Sequence, residues 1–171
     1  TTSGAKTLVL QGSTSGTGEF AGALVNGSGT LSLTKDGSGT WTLSSTNTYS
    51  GATVVTNGML ILSGTLGSLQ ATSGIAVMNG GTLLLNNTAS ANNTNRLADS
   101  APIALLGATL GVAGDAGATN FFEAVGAVTI GAGSNTIATT QAASGQTAAL
   151  SLASLSRNGG GTLNFSGTGL G

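Results

Sequence analysis

Between Gly27 and Gly64 short apolar words alternate with polar ones. Leu31-Ser32-Leu33, Trp41-Thr42-Leu43, Thr53-Val54-Val55-Thr56 and Leu60-Ile61-Leu62 are each closed on both sides by Gly, Asn, Asp or Ser. A period of two places one set of side chains on one face of a strand, because successive Cβ atoms point to opposite sides. Turn residues every seven to ten positions end each strand early. The rest of the chain follows the same grammar. Strand candidates run at Thr7–Gln11, Phe20–Val25, Ile75–Met78, Thr82–Leu85, Ile103–Leu106, Thr109–Val112, Phe121–Val125, Val128–Ile130, Thr136–Ala138, Ala148–Leu152 and Thr162–Phe165. About fifteen short strands are expected, with a single helical turn allowed at Asn95–Ser100 and at Ser151–Arg157.

A tripeptide recurs inside this pattern. Gly29-Thr30-Leu31, Gly39-Thr40-Trp41, Gly58-Met59-Leu60, Gly81-Thr82-Leu83, Ala108-Thr109-Leu110 and Gly161-Thr162-Leu163 begin 10, 19, 23, 27 and 53 residues apart. Several gaps lie near 20 to 25. Self-similarity of that length, made of strands with Gly or Asn at the corners, indicates a coil with about three strands per turn. Stacked coils pair parallel strands along one axis, with aliphatic columns inside and Thr, Ser and Asn outside. Seven to eight coils over residues 1–171 would form one all-β solenoid, a rod on the order of 35 Å long. A β-sandwich is the competing architecture. Against it, Asn26-Gly27, Asn57-Gly58 and Asn79-Gly80 lead into strands of about three residues, which suits corners better than hairpins.

Composition narrows the functional classes. Of 171 residues 30 are Gly and only nine carry charge, for a net charge of −1. The four cations, Lys6, Lys35, Arg96 and Arg157, are scattered, so the clustered charge that nucleic acid demands is missing. No apolar run reaches the roughly 18 residues of a membrane helix, so no membrane insertion is expected. Without Cys or His there is no thiol, disulfide, imidazole-metal or Ser-His chemistry.

One segment carries a family likeness. Gly29-Thr30-Leu31-Ser32-Leu33-Thr34-Lys35-Asp36-Gly37-Ser38-Gly39-Thr40-Trp41-Thr42-Leu43, followed by Asn47-Thr48-Tyr49-Ser50-Gly51-Ala52-Thr53 and Asn57-Gly58-Met59-Leu60, closely resembles the autotransporter-associated β-strand repeat. The resemblance is best over residues 29–64. It implies a right-handed parallel β-helix, exported and displayed outside the cell. Bare solenoid ends also invite further coils, from flanking repeats or from other copies.

Candidate chemistry is thin. Parallel β-helices include polysaccharide lyases and hydrolases, which need at least two carboxylates, or Ca²⁺ with a basic residue. The acids are Glu19, Asp36, Asp99, Asp115 and Glu123; the last three fall in successive coils and can approach one another. They read best as isolated solvated charges, with Arg96 and Asp99 a weak local pair. A calcium solenoid would repeat Gly-Gly-x-Gly-x-Asp, and this chain does not. Ice binding would need Thr at one position of every coil, which the sequence does not display. Among aromatics, Trp41, Tyr49 and the pair Phe121-Phe122 are candidate partner contacts. Trp41 fits the slot that Leu31 holds one motif earlier, and adjacency turns one of the two Phe outward. Asn47, Asn57, Asn79, Asn86, Asn87, Asn92 and Asn93 are expected to form axial ladders.

The expectation is a structural module without enzymatic activity or cofactor. It would extend an extracellular rod or filament by self-association or beside flanking repeats. An adhesin segment touching surface glycans is the alternative, and a lyase-type enzyme a distant third.

Overall fold

A computed structural model describes residues 3–13, 16–87, 92–114, 120–141 and 145–168. The described residues contain sixteen strands and no helix. One sheet stacks β1 (Lys6–Leu10), β3 (Leu31–Lys35), β6 (Thr53–Val55), β9 (Ile75–Met78), β11 (Ile103–Leu106), β13 (Phe121–Ile130) and β15 (Ala148–Arg157) in that order. The facing sheet stacks β2 (Thr17–Phe20), β4 (Thr40–Leu43), β7 (Met59–Leu62), β10 (Thr82–Asn86), β12 (Thr109–Ala113), β14 (Ser134–Thr140) and β16 (Thr162–Thr168). Every pairing is parallel, so the chain is a β-solenoid. Seven strands in each sheet give six coil-to-coil steps, close to the seven to eight coils expected.

The core is a set of columns. Along the first sheet the inward positions run Leu8, Leu33, Thr53, Ile75, Ile103, Val128 and Leu155. Along the second they run Gly18, Trp41, Leu60, Leu83, Leu110, Ile137 and Phe165. Leu33, Leu60, Leu83, Leu110 and Val128 are fully buried. The recurring tripeptide marks the start of the second sheet's strands, with Thr40, Met59, Thr82 and Thr109 in register; Gly29-Thr30-Leu31 instead enters the first sheet.

Coil length varies. Thr40 and Met59 are partners 19 residues apart, whereas Thr136 and Asn164 are 28 apart. In the shorter coils a third face is closed by β5 (Thr46–Asn47), β8 (Ser68–Leu69) and the Leu69–Leu97 bridge. In the last two coils that face merges into the ten-residue β13 and β15. The runs Phe121–Val125 and Val128–Ile130 are thus one strand, whose inward parity shifts at Gly126. Ser151–Arg157 is strand rather than helical turn, because its backbone is held by β13.

Unequal coils also explain why the Asn ladders do not form. A residue type spaced for one coil misses its position in the next. Asn47 pairs with Leu69 and Asn86 with Ala113.

Candidate functional site

The alternation that buries Leu33 also points Lys35 inward, since both occupy the same parity of β3. Lys35 is fully buried. Its ammonium donates to the carbonyls of Gly37 (2.7 Å), Asp36 (3.0 Å) and Asn57 (3.1 Å), tying one corner to the next. Burial holds its pKa below the ordinary lysine value, against the pull of Asp36. Gly58 completes this corner at φ +64°, where a Cβ would lie 2.5 Å from the carbonyl oxygens of Gly37 and Gly39.

On the third face Asn47 joins three coils. Its Oδ1 accepts from the Leu24 amide (2.9 Å), and its Nδ2 donates to the carbonyls of Ser45 (2.7 Å) and Ser68 (3.0 Å). Beside it, the Tyr49 hydroxyl meets Thr53 Oγ1 at 2.6 Å, and Thr53 Oγ1 meets Thr72 Oγ1 at 3.0 Å. Burial raises the Tyr49 pKa and keeps the phenol neutral.

Two coils on, a second polar cluster fills the interior. Arg96 and Glu123 are both fully buried. The guanidinium donates to Asn87 Oδ1 from Nε and Nη2, to Gly67 O from Nη1 (2.6 Å) and to Gly64 O from Nη2 (2.9 Å). Glu123 Oε1 accepts the backbone amides of Arg96 and Leu97, each at 2.8 Å, taking the place of a carbonyl on the adjoining coil. Its Oε2 is buried with no hydrogen-bond partner among the described residues. Burial pushes this carboxyl up to about 7 and Arg96 down to about 10. Asn135 does the same work one coil further, receiving the Gly107 amide at 2.8 Å and donating to the carbonyls of Gly131, Gly133 and Thr162.

These positions correct the reading of Glu123 as an isolated solvated acid and of Arg96 as a local partner of Asp99: both are interior groups, and Lys35 joins them there. Parity already marked two of them, since Lys35 shares a face with Leu33 and Glu123 with Phe121 and Val125. Asp99 is exposed and acts on Glu123 only through its charge. Asp115 lies outside the described residues. Glu123, enclosed behind the Arg96–Leu97 backbone, cannot touch a polysaccharide. Among the described residues no group of three Asp, Glu, His or Cys is placed to hold a metal, and no helix is long and apolar enough to cross a membrane.

The aromatic candidates divide. Tyr49 is buried and not a surface contact, because the third face folds it over Thr53. Trp41 packs against the core, half-buried, with its indole N–H donating to Gln11 O at 3.0 Å. Its ring occupies the space under Gly18, where a Cβ would lie 2.8 Å from it. Phe121 is buried while Phe122 is 52% exposed, so one of the pair does face outward. Threonine recurs at one outward position more than the sequence displays: Thr17, Thr40, Thr82, Thr109 and Thr136 share a column, interrupted by Met59 and Asn164. The interruptions leave no complete hydroxyl rank.

The family model of the passenger-associated-transport-repeat matches residues 33–62. That span holds Lys35, Asn47, Tyr49, Thr53 and Gly58, the groups that bond one coil to its neighbours. The match and the parallel solenoid together fit a repeat of an autotransporter passenger, as the resemblance implied. No curated protein and no solved structure matches the chain.

Proposed function

We propose that this chain is a structural module of an exported, surface-displayed rod, supplying length and stiffness through coil stacking. The observation that carries the reading is where the polar chemistry lies. Lys35, Asn47, Arg96, Glu123 and Asn135 point into the tube and bond to backbone, so they serve cohesion. The passenger-repeat match supports the exported setting. Elongation is the test. Fusing copies directly would close each joint with a coil of about 24 residues, inside the 19 to 28 observed. The maximum dimension from small-angle scattering should grow by roughly 34 Å per copy, seven rungs at about 4.8 Å. A dimension that does not grow in proportion rejects the rod.

A second reading rests on Phe122. Its exposure beside neutral, hydroxyl-rich faces suits an adhesin segment stacking on glycans. Under that reading, retention on immobilised glycans should be measurable and should fall with Phe122→Ser; equal retention of both proteins rejects it.

A further inference from the structure

We propose that Asn57-Gly58 is a self-modification site, where the chain rearranges to isoaspartate under the direction of the buried Lys35 ammonium. Four Asn-Gly pairs lie at corners of the solenoid: Asn26-Gly27, Asn57-Gly58, Asn79-Gly80 and Asn158-Gly159. Such a pair can cyclise when the glycine amide nitrogen attacks the asparagine Cγ, because glycine has no side chain to obstruct the approach. The corners differ in whether they allow it. At Asn26 the side-chain amide is tied away from Gly27: Nδ2 donates to Ser50 Oγ at 2.7 Å, and Oδ1 accepts the Leu31 and Ser50 amides at 2.9 and 3.2 Å. At Asn79 the nucleophile is engaged, since the Gly80 amide donates to Gly107 O at 2.7 Å. At Asn57 the reacting groups already face each other. Gly58 N donates to Asn57 Oδ1 at 2.7 Å, so it lies beside the carbon it must reach, and Asn57 is exposed to water.

Lys35 adds the activation. Its ammonium donates to Asn57 O at 3.1 Å, the carbonyl of the same peptide group whose nitrogen attacks. A cation there stabilises the negative charge that this group acquires when the Gly58 N–H yields its proton to hydroxide. The nitrogen then bonds to Cγ, the Cγ–Nδ2 bond breaks, and Nδ2 takes a proton from water and leaves as ammonia. Water opens the resulting succinimide at either carbonyl. Addition at Cγ restores the ordinary backbone with an aspartate side chain. Addition at the main-chain carbonyl breaks its bond to Gly58 N and leaves isoaspartate. Lys35 polarises the second carbonyl, so isoaspartate is the favoured product. Its new α-carboxylate forms on the group that Lys35 already holds. The three acceptors of the buried ammonium are neutral carbonyls, and the neighbouring Asp36 turns its Oδ1 to Thr56 Oγ1 at 2.7 Å. The rearrangement therefore gives a buried cation a directly bonded carboxylate.

Asn158-Gly159 is the matched control. It is exposed, its glycine has a similar φ (+70° against +64° at Gly58), and the adjacent Arg157 reaches to Gly161 O. The test holds the folded protein in mildly alkaline buffer and follows each pair by peptide mapping, with electron-transfer fragmentation separating isoaspartate from aspartate. Asn57 should convert first, about ten-fold faster than Asn26 and Asn79, and faster than Asn158. It should convert at least as fast as in the same chain unfolded in urea, with a higher share of isoaspartate. Lys35→Met, first checked for a cooperative urea transition, should slow Asn57 about ten-fold and return its product ratio to the unfolded value, leaving Asn158 unchanged. If that variant does not fold, the wild-type ranking and product ratio decide alone. Protection of Asn57 by folding, one product ratio in folded and unfolded chains, or an unaltered rate in folded Lys35→Met overturns the site.

Discussion

The coils near residues 33–62 and those near residues 121–168 solve the same problem differently. In the first region successive partners are 19 to 22 residues apart, strands have two to five residues, and a third face turns sharply. So short a coil leaves corner carbonyls and amides out of reach of the ladder. Side chains reach them instead: Lys35 three carbonyls, and Asn47 an amide and two carbonyls. In the second region the coil lengthens to 27 or 28 residues and strands extend to seven and ten, so the ladder takes up backbone groups along the former third face, while Asn135 still bonds the Gly107 amide and three corner carbonyls. Glu123 sits where one style gives way to the other, closing the third face with a carboxyl oxygen. Coil length thus changes how the ladder and the buried side chains divide the backbone groups between them.

Four substitutions break this contrast in descending order, with Lys6→Met as an exposed control. Leu83→Asp puts an unpaired carboxyl in a column shared by both regions and should cost more than about 4 kcal/mol in urea unfolding; an unchanged midpoint would contradict the column. Asn47→Leu leaves one amide and two carbonyls unmet on the third face and should cost about 3 kcal/mol. Lys35→Met keeps the stem but strips three acceptors of their donor, for about 2 kcal/mol, whereas exposed Lys6→Met should stay within about 0.5. Phe122→Ser should be the mildest, under about 0.5 kcal/mol.

A pH series sharpens the same comparison at the boundary. Burial raises the Glu123 carboxyl to about 7, opposed by the Leu97 and Arg96 amides and the Arg96 charge, and assisted by Asp99. The folded chain therefore keeps a proton that the unfolded chain releases near 4.5. Its contribution is complete below that value and is lost as pH rises through about 7. Stability should fall by about 1–3 kcal/mol over this window. Glu123→Gln keeps an acceptor for both amides and cannot titrate, so its urea midpoint should lack that fall. Parallel pH profiles for the two proteins would remove Glu123 from the account.

Much of this could be read from residue order. Alternation located most of the strands, the tripeptide located the coil, and parity alone sends Lys35 and Glu123 inward; the Phe20–Val25 candidate is strand only at Phe20, where β2 ends. The positions that misled were those where neighbours in space are not set by a fixed spacing. Tyr49 lies between strands, so no period reveals that it closes over Thr53. The Asn ladders presumed equal coils, and coils that differ by up to nine residues undo them. Arg96 lies on a third face too short to show a period; its partners Gly64 and Gly67 come from the preceding coil, and Asn87 from nine residues earlier on its own.

Native-state hydrogen exchange tests the central claim most directly, because it reads each coil separately. Where side chains bond coil to coil, opening one coil must break those bonds as well as the ladder. Amides of β3, β4, β6 and β7 should therefore exchange slowest, at least ten-fold slower than those of β15 and β16. Slowest exchange in β13 to β16 would mean that long main-chain ladders, and not the buried Lys35 and Asn47 bonds, hold the solenoid together.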